Sequence, residues 1–177
     1  KLDINLSGTE WEVDPNDNGT LVQPLSSIKG LGDTAITEIM KARPFKTIEE
    51  LLFNENITYS KLNKRALDAL ARSDALRSLM DSRFTGAKHF WSAVVVDRPK
   101  TLKKLKENIE LYKPEGDFTD EEKIEHITQL TGAYPINLVM TEEVMDKLAK
   151  KDIEPIGNKP EEDSEQQFGT RLVWFIP

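Results

Sequence analysis

Leu25-Ser26-Ser27-Ile28-Lys29-Gly30-Leu31-Gly32-Asp33-Thr34-Ala35 is the stretch on which the reading of this chain turns. A hydrophobic residue, one spacer, and then Gly-hydrophobic-Gly stand directly before a predicted helix. This is the helix-hairpin-helix pattern. Gly30 and Gly32 permit positive φ and close backbone approach. Asp33 or Thr34 is expected to cap a helix in which Ala35, Ile36, Ile39 and Met40 share one face, and Pro44 ends it. The start of such a helix offers free N–H groups and the positive end of its dipole, an arrangement suited to a phosphate. Ser27 leads into the bend, Lys29 adds a point charge, and Leu31 is expected to tuck into the hairpin core. Lys41 adds a second charge further along the helix. Phosphate contacts of this kind position a protein without reading bases.

Other motifs compete for the same residues. Gly30-x-Gly32-x-x-Ala35 imitates a dinucleotide fingerprint, with Glu49 and Glu50 downstream. That fingerprint needs a hydrophobic strand before its first glycine, whereas Gln23-Pro24-Leu25-Ser26-Ser27 is polar and contains proline. Asp14-x-Asn16-x-Asn18-Gly19 imitates half a calcium loop, but its twelfth position is Leu25 where a bidentate Glu is required. His89 and His126 have no evident metal or triad partners, so core or surface roles are expected for them.

Working outward, residues 9–23 predict a short β-hairpin turning at Asn18-Gly19. Leu25 and Ile28 predict a short helix before the bend. Thr47-Ile48-Glu49-Glu50 and Thr119–Glu122 match capping boxes, and Asn63 and Thr141 are placed to start further helices. Phe90-Trp91 and Val94–Val96 form a short apolar stretch that breaks at Pro99, and residues 113–118 read as a linker. Residues 157–166 are acidic and poor in apolar side chains, so they also read as a linker, and Leu172–Ile176 read as a strand beginning a further, OB-like domain. The expected fold is mainly α. It comprises a helix-hairpin-helix domain over 1–98 with a small N-terminal β-hairpin, a helical extension over 99–156, and a linker with a cut-off strand over 157–177.

The formal charge is −7, which by itself disfavours nucleic acid. Its distribution is uneven, however. Residues 1–54 carry 5 basic and 9 acidic side chains, residues 55–106 carry 12 and 5, and residues 107–165 carry 6 and 17. A basic middle between acidic flanks permits DNA binding on one face. No apolar run approaches the roughly 18 residues needed to span a membrane. The absence of cysteine excludes disulfides and thiolate metal sites and fits a cytoplasmic setting. The chain opens on Lys1 rather than Met, so a longer parent is expected.

Three blocks carry a resemblance: Ile4-Asn5-Leu6-Ser7, the glycine segment above, and Arg43-Pro44-Phe45-Lys46-Thr47-Ile48-Glu49-Glu50-Leu51. In this order they resemble the region after the palm and fingers of C-family bacterial DNA polymerases, the polymerase III alpha subunits, and their phage relatives. Leu62–Leu70, Ser73-Asp74-Ala75-Leu76 and Arg83 are similar to the family's next helix, its small-residue turn and an arginine after it. Ala133-Tyr134-Pro135-Ile136-Asn137 resembles a Gly-His-Pro-Ile segment before the OB domain, with the glycine-histidine pair altered. The resemblance implies a module that holds nascent duplex DNA behind the polymerase. The magnesium-binding palm carboxylates lie upstream in the family, so no cofactor and no catalytic residue are expected within this segment.

Asn63, Lys64 and Arg65 are expected to contact phosphate on the same face as the hairpin. An alternative of another class is a protein-interaction segment that links the polymerase to a sliding clamp or other replisome protein through acidic 107–165. Gln166-Gln167-Phe168 is too short a match to a clamp-binding peptide to carry that reading. A third alternative is an accessory domain of a nuclease or ligase that borrows the hairpin.

Overall fold

The computed structural model describes residues 1–155 and 173–175, which divide into two units, Lys1–Ala133 and Tyr134–Pro177. The first unit is mainly helical. It opens on an antiparallel pair, β1 (Glu12–Asp14) and β2 (Asp17–Val22). A single 3₁₀ turn, Leu25–Ser27, leads to α1 (Asp33–Ala42), α2 (Ile48–Leu52) and α3 (Lys64–Arg72). Next come α4 (Ala87–Trp91), which runs into a π turn at Ser92–Val96, then α5 (Leu102–Leu111) and α6 (Asp120–Thr131). In the second unit, α7 (Ile136–Val139) and α8 (Glu142–Ala149) precede β3 (Ile153–Pro155), which pairs in parallel with β4 (Val173–Phe175). The expected terminal strand therefore has a partner in the chain. The acidic linker and Gln166-Gln167-Phe168 lie outside the described residues.

The β-hairpin exists, but it turns at Pro15-Asn16 rather than at Asn18-Gly19, which fall inside β2. Asp14 explains the shift. Its Oδ1 accepts the Asn16 N–H at 2.9 Å, closing an Asx turn next to a proline whose φ is preset. The same bond turns the calcium-loop imitation into ordinary turn chemistry.

One core joins the helices of the first unit. Ile39 of α1, Ile48 and Leu51 of α2, and Leu67 and Leu70 of α3 are fully buried in it. Leu105 and Ile109 of α5 enter the same core, so the segment read as starting an extension at 99 packs into the first unit. Polar ties hold the rest. Trp91 Nε1 donates to Asp68 Oδ1 at 2.7 Å, joining α4 to α3. Buried His89 accepts the Thr85 N–H through Nδ1 at 3.0 Å, which leaves Nε2 to donate to the Ile109 carbonyl at 2.7 Å. His89 is thus a core residue. Asn108 Nδ2 donates to the Ala93 and Asp97 carbonyls, and so satisfies backbone acceptors around the π turn. Thr119 and Glu122 form the expected capping box on α6. At α2 only half of one forms: Thr47 accepts from Glu50 N, while Glu50 Oε2 accepts from Lys46 N. Among the described residues, no helix is long and apolar enough to cross a membrane.

Arg83 ties α2 to the loop after α3. Its guanidinium donates to Glu49 Oε1 at 2.6 Å and to Asp81 Oδ2 at 2.6 Å. These bonds hold both carboxyls below their ordinary pKa range and raise that of the guanidinium. A depressed carboxylate adds stability above its unfolded pKa and loses it as pH falls through the folded value. The network is open to solvent, so it contributes about 1 kcal/mol or less. We expect Arg83→Ala to lower stability at neutral pH and to flatten the parent's decline below about pH 4. Urea unfolding across that range checks this, and parallel curves for parent and variant would contradict it.

Candidate nucleic-acid interface

The bend before α1 has the geometry of an anion cradle. Gly30 takes φ +94°, the left-handed region that favours glycine. Leu31 is 7 % exposed and anchors the bend in the core, as expected. Gly32 is the N-cap of α1, so Asp33 is the first helical residue rather than the cap. Gly32 is extended at φ −83°, and no side chain caps the helix. Positive φ thus explains Gly30 alone. A β-carbon on Gly32 would meet nothing within 4 Å, so nothing inside the protein calls for glycine there.

Two amides of the bend are occupied. Lys29 N donates to the Leu130 carbonyl at 2.8 Å, bracing the bend on the end of α6, and Leu31 N donates to the Ile28 carbonyl at 3.2 Å. The N–H groups of Gly30, Gly32, Asp33 and Thr34 have no hydrogen-bond acceptor among the described residues. All four residues are exposed. Four donors with the α1 dipole behind them therefore face solvent.

The side chains fall into two groups. Arg65, in the first turn of α3, lies beside the bend: a β-carbon on Gly30 would sit 3.3 Å from its Nε. The Lys29 side chain is exposed. The others are committed or remote. Ser27 Oγ donates to the Pro24 carbonyl at 2.7 Å. Asn63 caps α3, accepting from Ala66 N at 3.0 Å and donating to the Ser60 carbonyl at 3.2 Å. Lys64 Nζ donates to the Val96 carbonyl at 2.8 Å. Lys41 lies in the last turn of α1, about 12 Å along the axis from Asp33 at the helical rise per residue.

Three features had no mark in the sequence reading. The Leu130 brace uses a backbone carbonyl, which every residue has. Glu38 of α1 accepts from Thr58 N at 2.7 Å and Oγ1 at 2.9 Å, holding the loop before α3. Tyr59 of that loop has the Arg98 guanidinium 3.6 Å from its ring centre.

Comparison with known proteins agrees with this geometry. Residues 1–86 match the model of the helix-hairpin-helix motif family. The chain is 41% identical over 80 residues, 44% of its length, to a DNA polymerase III subunit alpha of Pseudomonas fluorescens, and covers 6% of that protein. It is 31% identical over 112 residues, 61% of its length, to the subunit of the same name from Pseudomonas aeruginosa, covering 9%. A Caulobacter vibrioides protein of that name is 33% identical over 85 residues, with 46% of this chain and 7% of the relative covered. The chain thus spans less than a tenth of the length of these curated relatives.

Proposed function

Residues 1–86 match the helix-hairpin-helix motif family, and from that premise and the likeness to DNA polymerase III alpha subunits we propose that the chain binds duplex DNA irrespective of sequence, holding the product duplex of a replicative polymerase. The observation that carries this reading is the set of four solvent-facing amides at Gly30, Gly32, Asp33 and Thr34, with Arg65 alongside. The amides take one phosphate, Arg65 adds a forked donor to the same or the next phosphate, and Lys29 adds charge. No base edge is read, so affinity follows the backbone. On the same reading the parent chain is a DNA-directed DNA polymerase, and this segment is a non-catalytic part of it.

Fluorescence anisotropy against blunt duplexes of unrelated sequence tests the proposal. Affinities should agree between sequences and fall linearly on a log–log plot against salt. Arg65→Ala should weaken binding to all duplexes and reduce the slope by about 0.9, the value of one phosphate contact. Lys29→Glu should weaken all of them further through charge reversal. Binding that depends on sequence, or variants that bind like the parent at moderate salt, would overturn the assignment.

A further inference from the structure

We propose that the cleft between Leu52–Tyr59 and Arg98–Lys100 binds one unstacked nucleotide of single-stranded DNA, its base on the exposed ring of Tyr59 and its phosphate at Arg98 and Lys100. The cleft has a volume of about 250 Å³, room for a single small group. Leu52, Phe53, Ile57 and Pro99 back it, while most of its accessible lining is polar. Tyr59, 49% exposed, lines it beside two cations: Arg98 Cζ is 3.6 Å and Lys100 Nζ 5.7 Å from the ring centre. Neither cation has a carboxylate within ion-pairing distance among the described residues.

Arg98 is short of partners. Its Nη1 donates to the Tyr59 carbonyl at 2.8 Å, but its Nε is buried and has no hydrogen-bond partner. Partial burial also holds the guanidinium below its ordinary pKa, so a nearby anion would be favoured. Asn54 adds a neutral polar group to the lining. Its Oδ1 accepts from Asn56 N at 2.9 Å, which leaves its amide N–H₂ to donate to a base edge.

The shape selects the ligand. A duplex presents a convex row of phosphates that rides over a recess and has no use for an exposed ring inside it. An unstacked nucleotide brings both a flat apolar face and an anion, the chemistry of single-strand sites. The position favours nucleic acid over an acidic peptide. Arg65 lies beside Gly30 of the hairpin, the adjacent Lys64 bonds the Val96 carbonyl, and Arg98 follows two residues later. A strand leaving a duplex held at the hairpin has a short cationic path to the cleft. This last argument rests on the duplex-binding reading above.

The test compares a blunt duplex, the same duplex with an oligothymidylate tail, and the oligothymidylate alone. The parent should bind the tailed duplex about tenfold more tightly than the blunt one, the scale of one stacked base. Tyr59→Ala and Lys100→Glu should abolish that advantage and leave blunt-duplex binding unchanged. Lys100 is exposed, so its variant keeps the fold if Tyr59→Ala does not. Weak blunt binding with an intact tail effect would sink the hairpin reading and leave the cleft standing. No tail effect, an equal loss of blunt and tailed binding in Lys100→Glu, or stronger competition by polyglutamate than by oligothymidylate would overturn the cleft proposal.

Discussion

Gly32→Ser is expected to stabilise the protein by a few tenths of a kcal/mol and to weaken duplex binding ten- to a hundredfold. Gly32 caps α1 without a side-chain bond, at an extended φ of −83° that serine adopts freely, and its β-carbon would have open space around it. A serine hydroxyl there accepts from an N–H in the first helical turn, the usual N-cap bond. That bond stabilises the helix and takes a donor from the phosphate. The lost hydrogen bond to a charged group is worth about 1.5–3 kcal/mol, which sets the binding range. Thermal unfolding and anisotropy on the same preparation separate the two effects. Unchanged affinity in a folded variant would mean that the amides do not meet phosphate. Gly30→Ala is the control of opposite kind. At φ +94° a side chain is strained by about 1–3 kcal/mol, and the new β-carbon crowds Arg65 at 3.3 Å, so stability and binding should fall together.

Leu67→Ala should cost about 2–5 kcal/mol, the range for deleting a buried leucine side chain. Leu67 is 0% exposed on the core face of α3 and shares a core with α1, α2 and α5. A typical domain has only about 5–15 kcal/mol to lose, so the urea midpoint should drop sharply. α3 also carries Arg65, and so the substitution should make DNA affinity strongly temperature-dependent, failing as the unit melts. A loss below about 1 kcal/mol would show that the neighbouring helices close over the gap.

The residues show why parts of this were readable in advance. Leu67, Leu70 and Ala71 repeat at helical spacing after an asparagine that can cap, and α3 formed as that pattern demands. Gly30 was readable because a tight bend before a helix needs positive φ, which glycine takes without strain. Asn18-Gly19 misled because a turn signal is only as good as its competitors, and Asp14-Pro15-Asn16 closed a turn first. Val94–Val96 hid a π turn, since a short apolar run signals burial but not the turn its backbone takes. Asn108, far along the sequence, supplies the bonds that the wide turn needs. At the candidate site, the sequence pointed to the amides and to Arg65 but also enlisted Asn63 and Lys64. Their side chains bond the carbonyls of Ser60 and Val96, choices that only tertiary packing reveals.

The bond from Lys29 N to the Leu130 carbonyl has a consequence for the order in which the molecule matures. It joins positions about a hundred residues apart, so forming it requires closing a very long loop. On the ribosome, α1 and α3 can assemble well before residue 130 emerges, but the bend lacks this strut until α6 docks. The cradle therefore reaches its final shape among the last events of folding, and a nascent chain halted before residue 130 would carry the glycines without this support.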